Sequence, residues 1–153
     1  MTDSEVLSLM ASAFGRVPRP EHFTDYKHCC ECAEHDALLR SRDVTTLHFD
    51  DVGNPGWDPM CFISAEGFRY YFPALARLAL NGHGSNWYID QLLFYLGYSG
   101  KENRHLRFFS PPERNAVLML LQHISLSRAK ELKAYFLNDE LQTVIRLWAN
   151  AAA

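Results

Sequence analysis

The chain has 153 residues, of which 48% are hydrophobic, 22% charged and 13% aromatic, and its net charge is −3. That composition excludes a disordered polypeptide and lacks the basic excess that marks a nucleic-acid binder. No apolar run approaches the roughly 18 residues of a membrane-spanning helix, so neither a nucleic-acid nor a membrane partner is expected. The length suits a single domain, 1–153. Charge is unevenly placed: residues 1–66 hold 12 acidic against 5 basic side chains, and residues 67–153 hold 6 against 10. The acidic half can steer a basic partner or simply be a solvated face.

Taken in chain order, Asp3 or Ser4 can cap a first helix whose apolar face is Val6, Leu7, Met10 and Phe14. Gly15 ends it, and Pro18 and Pro20 prevent a restart. The opening stretch MTDSEVLSLMASAFG has no basic n-region or long apolar core, unlike a signal peptide. A cytoplasmic protein with four reduced thiols is therefore expected. Residues 16–27 read as loop, and helical periodicity returns over 28–42. The segment VTTLHF (44–49) reads as strand or helical turn. Asn54-Pro55-Gly56-Trp57 and Asp58-Pro59 are turn signals, with Trp57 and Phe62 expected to pin the segment to the core.

Ser64 can cap the next helix, in which Phe68, Tyr71, Phe72, Leu75 and Leu78 follow helical spacing. Pro73 inside that pattern should kink or divide it. Residues 81–86 make a turn, residues 87–96 a short apolar helix closed by Gly97, and a polar loop runs to about residue 106. At Ser110-Pro111-Pro112-Glu113 a cap residue, a first-turn proline and a returning glutamate announce a helix. It buries Val117, Leu118, Leu121 and Ile124, and either continues to Phe136 or breaks near residues 125–127. Asn138 and Asp139 start a last helix with Leu141, Val144, Ile145 and Trp148. The pattern is all-α, five to seven helices, with one minor β element allowed at 44–49 or 104–109.

Candidate chemistry concentrates in HCCECAEH, residues 28–35. On a continuous helix His28, Cys32 and His35 lie within about 60° of one another, whereas Cys30 points away. His28 and His35 are about 10 Å apart along the axis, too far to share an ion without strain. A structural zinc needs four ligands, so the set Cys29, Cys32, His35 and Cys61 is the expected metal site, with His48 a further neighbour. Cys29-x-x-Cys32 is half a zinc knuckle without its second half. The competing reading makes Cys32 and Cys61 small buried hydrophobes, with Glu31, Glu34 and Asp36 solvated. A redox role for the same spacing belongs beside a βαβ pattern, which the chain lacks. Asp50, Asp51 and Asp58 are ordinary turn residues, and no nucleotide-binding, EF-hand or hydrolase motif occurs. His83 and His105 are expected to be exposed, and His123 to be a satisfied core histidine. Arg69, Tyr70, Trp87 and Tyr98 fall off the most apolar faces and are the candidate protein-binding residues.

The segments CCECAEHDALL, GNPGWDPMCFISAEGFRYYFPALARLAL and FFSPPERNAVLMLLQHI together resemble a family of small bacterial proteins classed only as a domain of unknown function. The resemblance covers roughly residues 14–137, and Pro112 and Arg114 depart from its usual second motif. It implies a bacterial, cytoplasmic, mainly helical protein and brings no catalytic residue. Two functions follow as expectations. One is a protein-binding module, by analogy with immunity partners of toxins. The other is a zinc protein built on the Cys/His segment.

Overall fold

A computed structural model describes residues 1–152. Nine α-helices run through them. They are α1 (Asp3–Phe14), α2 (Cys30–Arg40), α3 (Phe49–Val52), α4 (Ala65–Asn81), α5 (Ile89–Gly97), α6 (Arg104–Phe108), α7 (Pro111–Ser127), α8 (Ala129–Ala134) and α9 (Asn138–Ala152). Six of them have nine residues or more, and α3, α6 and α8 are one or two turns. The architecture is all-α. Among the described residues the only β feature is an isolated bridge between Thr24 and Ile63. No helix there is long and apolar enough to cross a membrane.

Neither segment that allowed a strand forms one. Residues 44–49 lead through a turn into α3, and residues 104–108 are α6. The cause of the second is Asn103. Its Oδ1 accepts the N–H groups of His105 and Leu106, both at 3.0 Å, while its amide donates to the carbonyls of Tyr95 and Tyr98. One buried asparagine thus caps α6 and ties it to the end of α5. His105, expected on the surface, is buried against Phe68 with ring centroids 3.7 Å apart. Burial pushes its pKa down to about 3, so it is neutral at pH 7.

The long helices form where sequence periodicity places them. Thr2, rather than Asp3 or Ser4, caps α1, exchanging hydrogen bonds with Glu5. Glu113 returns to the Ser110 N–H at 2.9 Å, and Pro111 occupies the first position of α7. The chain breaks at Arg128, separating α7 from α8. Pro73 does not divide α4. Proline removes one intrahelical hydrogen bond, but Phe68, Tyr71 and Phe72 before it and Leu75, Ala76 and Leu78 after it are all buried. That burial holds both sides of the helix in place.

The core is centred on α4. Helix α1 packs on α4 and α7, α7 lies along α9, and α5 also meets α9. Phe14, Phe72, Phe109 and Trp148 interleave there at tilted or edge-on angles, a geometry that aromatic rings favour. Arg128 and His123 both reach Asp3, joining the start of α1 to the end of α7. Together they bring Asp3 below its usual pKa, the Arg128 hydrogen bond contributing most.

The loop before α2 is held on both sides. Asp36, expected to be solvated, is buried. Its Oδ1 accepts the N–H groups of Phe23 (2.6 Å) and Thr24 (3.2 Å), and its Oδ2 lies 2.7 Å from His22 Nδ1. Burial works against its charge, but His22 and the two N–H groups outweigh it and lower the pKa. On the other side Phe23 presses on Gly67 of α4, where an added Cβ would come within 3.0 Å of it and 2.7 Å of Ile63. Thr24 Oγ1 donates to the Cys32 carbonyl at 2.6 Å. The first turn of α2 is therefore fixed relative to the core.

Candidate metal centre

The segment Asp25–Cys29 turns into α2 through a His28 N–H to Asp25 carbonyl bond of 3.0 Å. Helix α2 then begins two residues later than a continuous 28–42 helix would, because Cys29 is its N-cap. Cys29 has extended backbone (φ −160°, ψ 171°), and its carbonyl takes the first helical bond from the Ala33 N–H. Its Sγ accepts the Cys32 N–H at 3.4 Å, in the place a serine or aspartate oxygen usually fills. That rotation brings the Cys29 sulfur beside the Cys32 sulfur, 3.2 Å away. His28 Nδ1 lies 3.8 Å from Cys32 Sγ. The three atoms lie within 4.8 Å of one another, with His28 and Cys29 exposed and Cys32 buried.

Ionisation within the cluster is divided. The Cys32 N–H, then the His28 side chain, then the Cys32 thiol hydrogen-bond Cys29 and lower its pKa to about 7. The Cys29–Cys32 hydrogen bond, followed by burial, raises Cys32 to about 11. The Cys29 hydrogen bond, with the charges of Cys29 and Asp25, raises His28. Near pH 7 Cys29 is therefore divided between thiol and thiolate while Cys32 keeps its proton, with the His28 ring beside them.

The donor set fits zinc. Two sulfurs about 2.3 Å from a tetrahedral zinc are roughly 3.8 Å apart, and a sulfur and an imidazole nitrogen roughly 3.6 Å apart. The sulfurs at 3.2 Å need only a small separation, and the nitrogen–sulfur distance of 3.8 Å already matches. Three protein ligands leave a fourth position open.

Of the four residues expected to hold metal, the fold brings together Cys29 and Cys32. His35 is 1% exposed, one turn further along α2. It stacks on Phe62 at 5.1 Å, meets Trp57 at 4.8 Å, and has Nε2 3.4 Å from Glu31. It is the seat on which the 54–62 turn rests, and His28 is the nitrogen that joins the two cysteines. Cys61 lies elsewhere, its Sγ 3.1 Å from the Tyr95 hydroxyl. It opens onto a cleft of about 440 Å³ that Tyr98, Phe94, Arg104 and His105 also line. A signal for His28 was present in its i, i+4 spacing from Cys32. The Cys29-x-x-Cys32 spacing had already named Cys29, but its approach to His28 was hidden, because a helical wheel misplaces an N-cap side chain.

The residues expected to meet a partner divide. Trp87 is buried, its Nε1 donating to the Ala79 carbonyl at 2.7 Å, so it belongs to the core. Arg69 grips the buried Glu113 through both oxygens, at 2.6–3.0 Å. Tyr70 accepts from Arg19 at 2.8 Å. Tyr98 is 65% exposed beside Phe94, which is 53% exposed.

Sequence comparison adds a family without a function. The model of a family of unknown function (DUF6714) matches residues 2–152. The chain belongs to DUF6714. That match is longer than the resemblance, which spans residues 14–137. No curated protein and no solved structure matches this DUF6714 chain.

Proposed function

We propose that the protein binds one zinc ion through His28 Nδ1, Cys29 Sγ and Cys32 Sγ, leaving one coordination position for water or an external ligand. The single observation that carries this reading is the convergence of three ligand atoms within 4.8 Å. Thiolate with imidazole is a donor set suited to zinc. Support from behind is already in place, since Thr24 holds the Cys32 carbonyl and Asp36 holds the loop that delivers His28. An open fourth position is the pattern of zinc sites that act on a ligand rather than only brace a fold.

Elemental analysis of protein purified without added metal tests the proposal. About one equivalent of zinc is expected, lost in Cys29→Ser and Cys32→Ser and kept in Cys61→Ser. Less than about a tenth of an equivalent, even after zinc is added and excess removed, refutes it. A protein-binding module is the second reading, favoured by the exposed Phe94–Tyr98 pair at the mouth of the Cys61 cleft. Self-association or partner capture that survives Phe94→Ser with Tyr98→Ser would remove that reading.

A further inference from the structure

We propose that Cys29 and Cys32 are also a redox-active dithiol, which a low-molecular-weight disulfide such as glutathione disulfide oxidises to an internal Cys29–Cys32 disulfide. The proposal rests on the placement of the two sulfurs and holds whether or not a metal binds.

The sulfurs are 3.2 Å apart. A disulfide bond is about 2.05 Å long, so closure needs the sulfurs to approach by only about 1.2 Å. Cys29 is fixed as the N-cap, and Cys32 is fixed by the Thr24 bond to its carbonyl. Accessibility assigns the two sulfurs different roles. Cys29 is exposed and can meet a bulky disulfide, whereas Cys32 is 5% exposed and faces Cys29. The Cys29 sulfur also accepts the Cys32 N–H, which stabilises negative charge on the attacking atom. The other two thiols are placed differently: Cys30 does not join the cluster, and Cys61 lies beside Tyr95. A βαβ setting is absent among the described residues, but the local requirement, a C-x-x-C whose first sulfur caps a helix, is met by α2.

The exchange balances. The Cys29 thiolate attacks one sulfur of the external disulfide, that S–S bond breaks, and the first glutathione leaves as a thiolate that takes up a proton. Cys32 then loses its proton and its sulfur attacks Cys29 Sγ. The mixed disulfide breaks, and the second glutathione leaves and is protonated. The protein loses two hydrogens and the external disulfide becomes two thiols. Because the two sulfurs are also two of the three proposed zinc ligands, the disulfide and the bound metal exclude each other.

The test uses full-length protein, reduced and freed of metal by a chelator, then exposed to glutathione disulfide. Intact mass and peptide mapping are the readouts. The expected product has lost two hydrogens, links Cys29 to Cys32, and forms equally in Cys30→Ser and Cys61→Ser. In Cys32→Ser the reaction should stop at glutathione attached to Cys29. A lasting glutathione adduct on the unaltered protein, or an internal disulfide through Cys30 or Cys61, overturns the proposal. Mapping the unaltered protein decides this even if Cys32→Ser fails to fold. A second arm starts from zinc-loaded protein, where zinc should appear in solution in step with the disulfide. Zinc retained after the disulfide has formed would overturn the shared-sulfur assignment. Failure of the zinc reading by itself would appear in elemental analysis and leave the first arm intact.

Discussion

Replacing Asp58 by alanine removes the acceptor around which the centre of the chain is organised. The side chain is 1% exposed. Its Oδ1 takes the Met60 N–H at 2.9 Å. Its Oδ2 takes the Tyr88 hydroxyl at 3.0 Å, the Gln91 amide at 2.8 Å and the Tyr95 hydroxyl at 2.7 Å. Two of these donors keep another partner without it, since Gln91 also reaches the Val52 carbonyl and Tyr95 lies against Cys61. The Met60 N–H and the fully buried Tyr88 hydroxyl do not. Each orphaned buried donor costs about 1–3 kcal/mol. Removing a buried carboxylate returns part of that by ending its desolvation. The net expectation is a loss of about 2–4 kcal/mol, or about 5–12 °C in Tm for a chain of this length. Thermal unfolding followed by circular dichroism, on reduced and chelated protein, measures it. A change within about 0.5 kcal/mol, the range of an ordinary surface substitution, would refute the reasoning.

Asp58→Asn separates charge from shape. Burial raises the Asp58 pKa in spite of its four donors. A group whose folded pKa is raised contributes stability that is fully present below its unfolded pKa and lost as pH rises through the folded value. The stability of the unaltered protein relative to Asp58→Asn should therefore grow as pH falls from neutral through the carboxylate range. Asp51 behaves in the opposite way. Burial opposes its ionisation, but Arg42 and the His48 N–H outweigh burial and lower its pKa. Its contribution is present above the unfolded pKa and is lost as pH falls. A stability of the unaltered protein relative to Asp58→Asn that falls toward acid would contradict the raised pKa.

Other positions give further tests. Glu113→Gln keeps the side-chain shape but replaces one of two oxygens that hold Arg69 and the Ser110 N–H; a denaturant-measured loss of about 1–3 kcal/mol is expected. Phe136 has φ +58° and is 91% exposed, so Phe136→Gly should stabilise by up to about 1 kcal/mol, and a lower denaturation midpoint would count against it. Alkylation by iodoacetamide at neutral pH should label Cys29 before Cys32, with the Cys29 rate half-maximal near pH 7. His28→Ala, which removes a hydrogen bond to that sulfur, should move the half-maximal rate to higher pH. Zinc binding, followed with a pH indicator in weak buffer, should release more protons at pH 6 than at pH 8, because Cys29 sheds its own proton between them. Equal release at both would show that Cys29 does not titrate near 7.

Local signals were legible in the sequence and long-range ones were not. Helix α7 could be read from Ser110, Pro111 and Glu113 because cap, first-turn proline and returning glutamate lie within four residues. Helix α6 was missed because five residues offer too few periodic positions, and its cap Asn103 reads as one more polar residue in a polar loop. The buried charges are the larger gap. Asp58 meets partners 30 to 37 residues away, and Asp36 meets backbone groups 12 and 13 residues away. No local pattern separates such an aspartate from a solvated one. Nor did local pattern show that Arg69, an apparent surface arginine, is committed to Glu113 across 44 residues.

In the Cys/His segment, composition located the site and one dihedral decided its membership. A continuous helix from residue 28 turns Cys29 away from His28 and offers His35 instead. Starting α2 at Cys30 puts Cys29 in extended backbone, and its sulfur swings over the first turn. The same step explains why the two cysteines differ. The exposed N-cap sulfur accepts the Cys32 N–H and has its pKa lowered to about 7, whereas the sulfur three residues on is buried and has its pKa raised to about 11. Asymmetry of this kind is not needed to fill a core, where two neutral thiols would pack equally well. It is what either proposed chemistry requires: an ionised sulfur reachable from solvent, and a second sulfur held close enough to complete a metal site or a disulfide. Asp36 and Thr24 hold that arrangement from behind, so loosening either should relax the sulfur geometry before it unfolds the rest of the bundle.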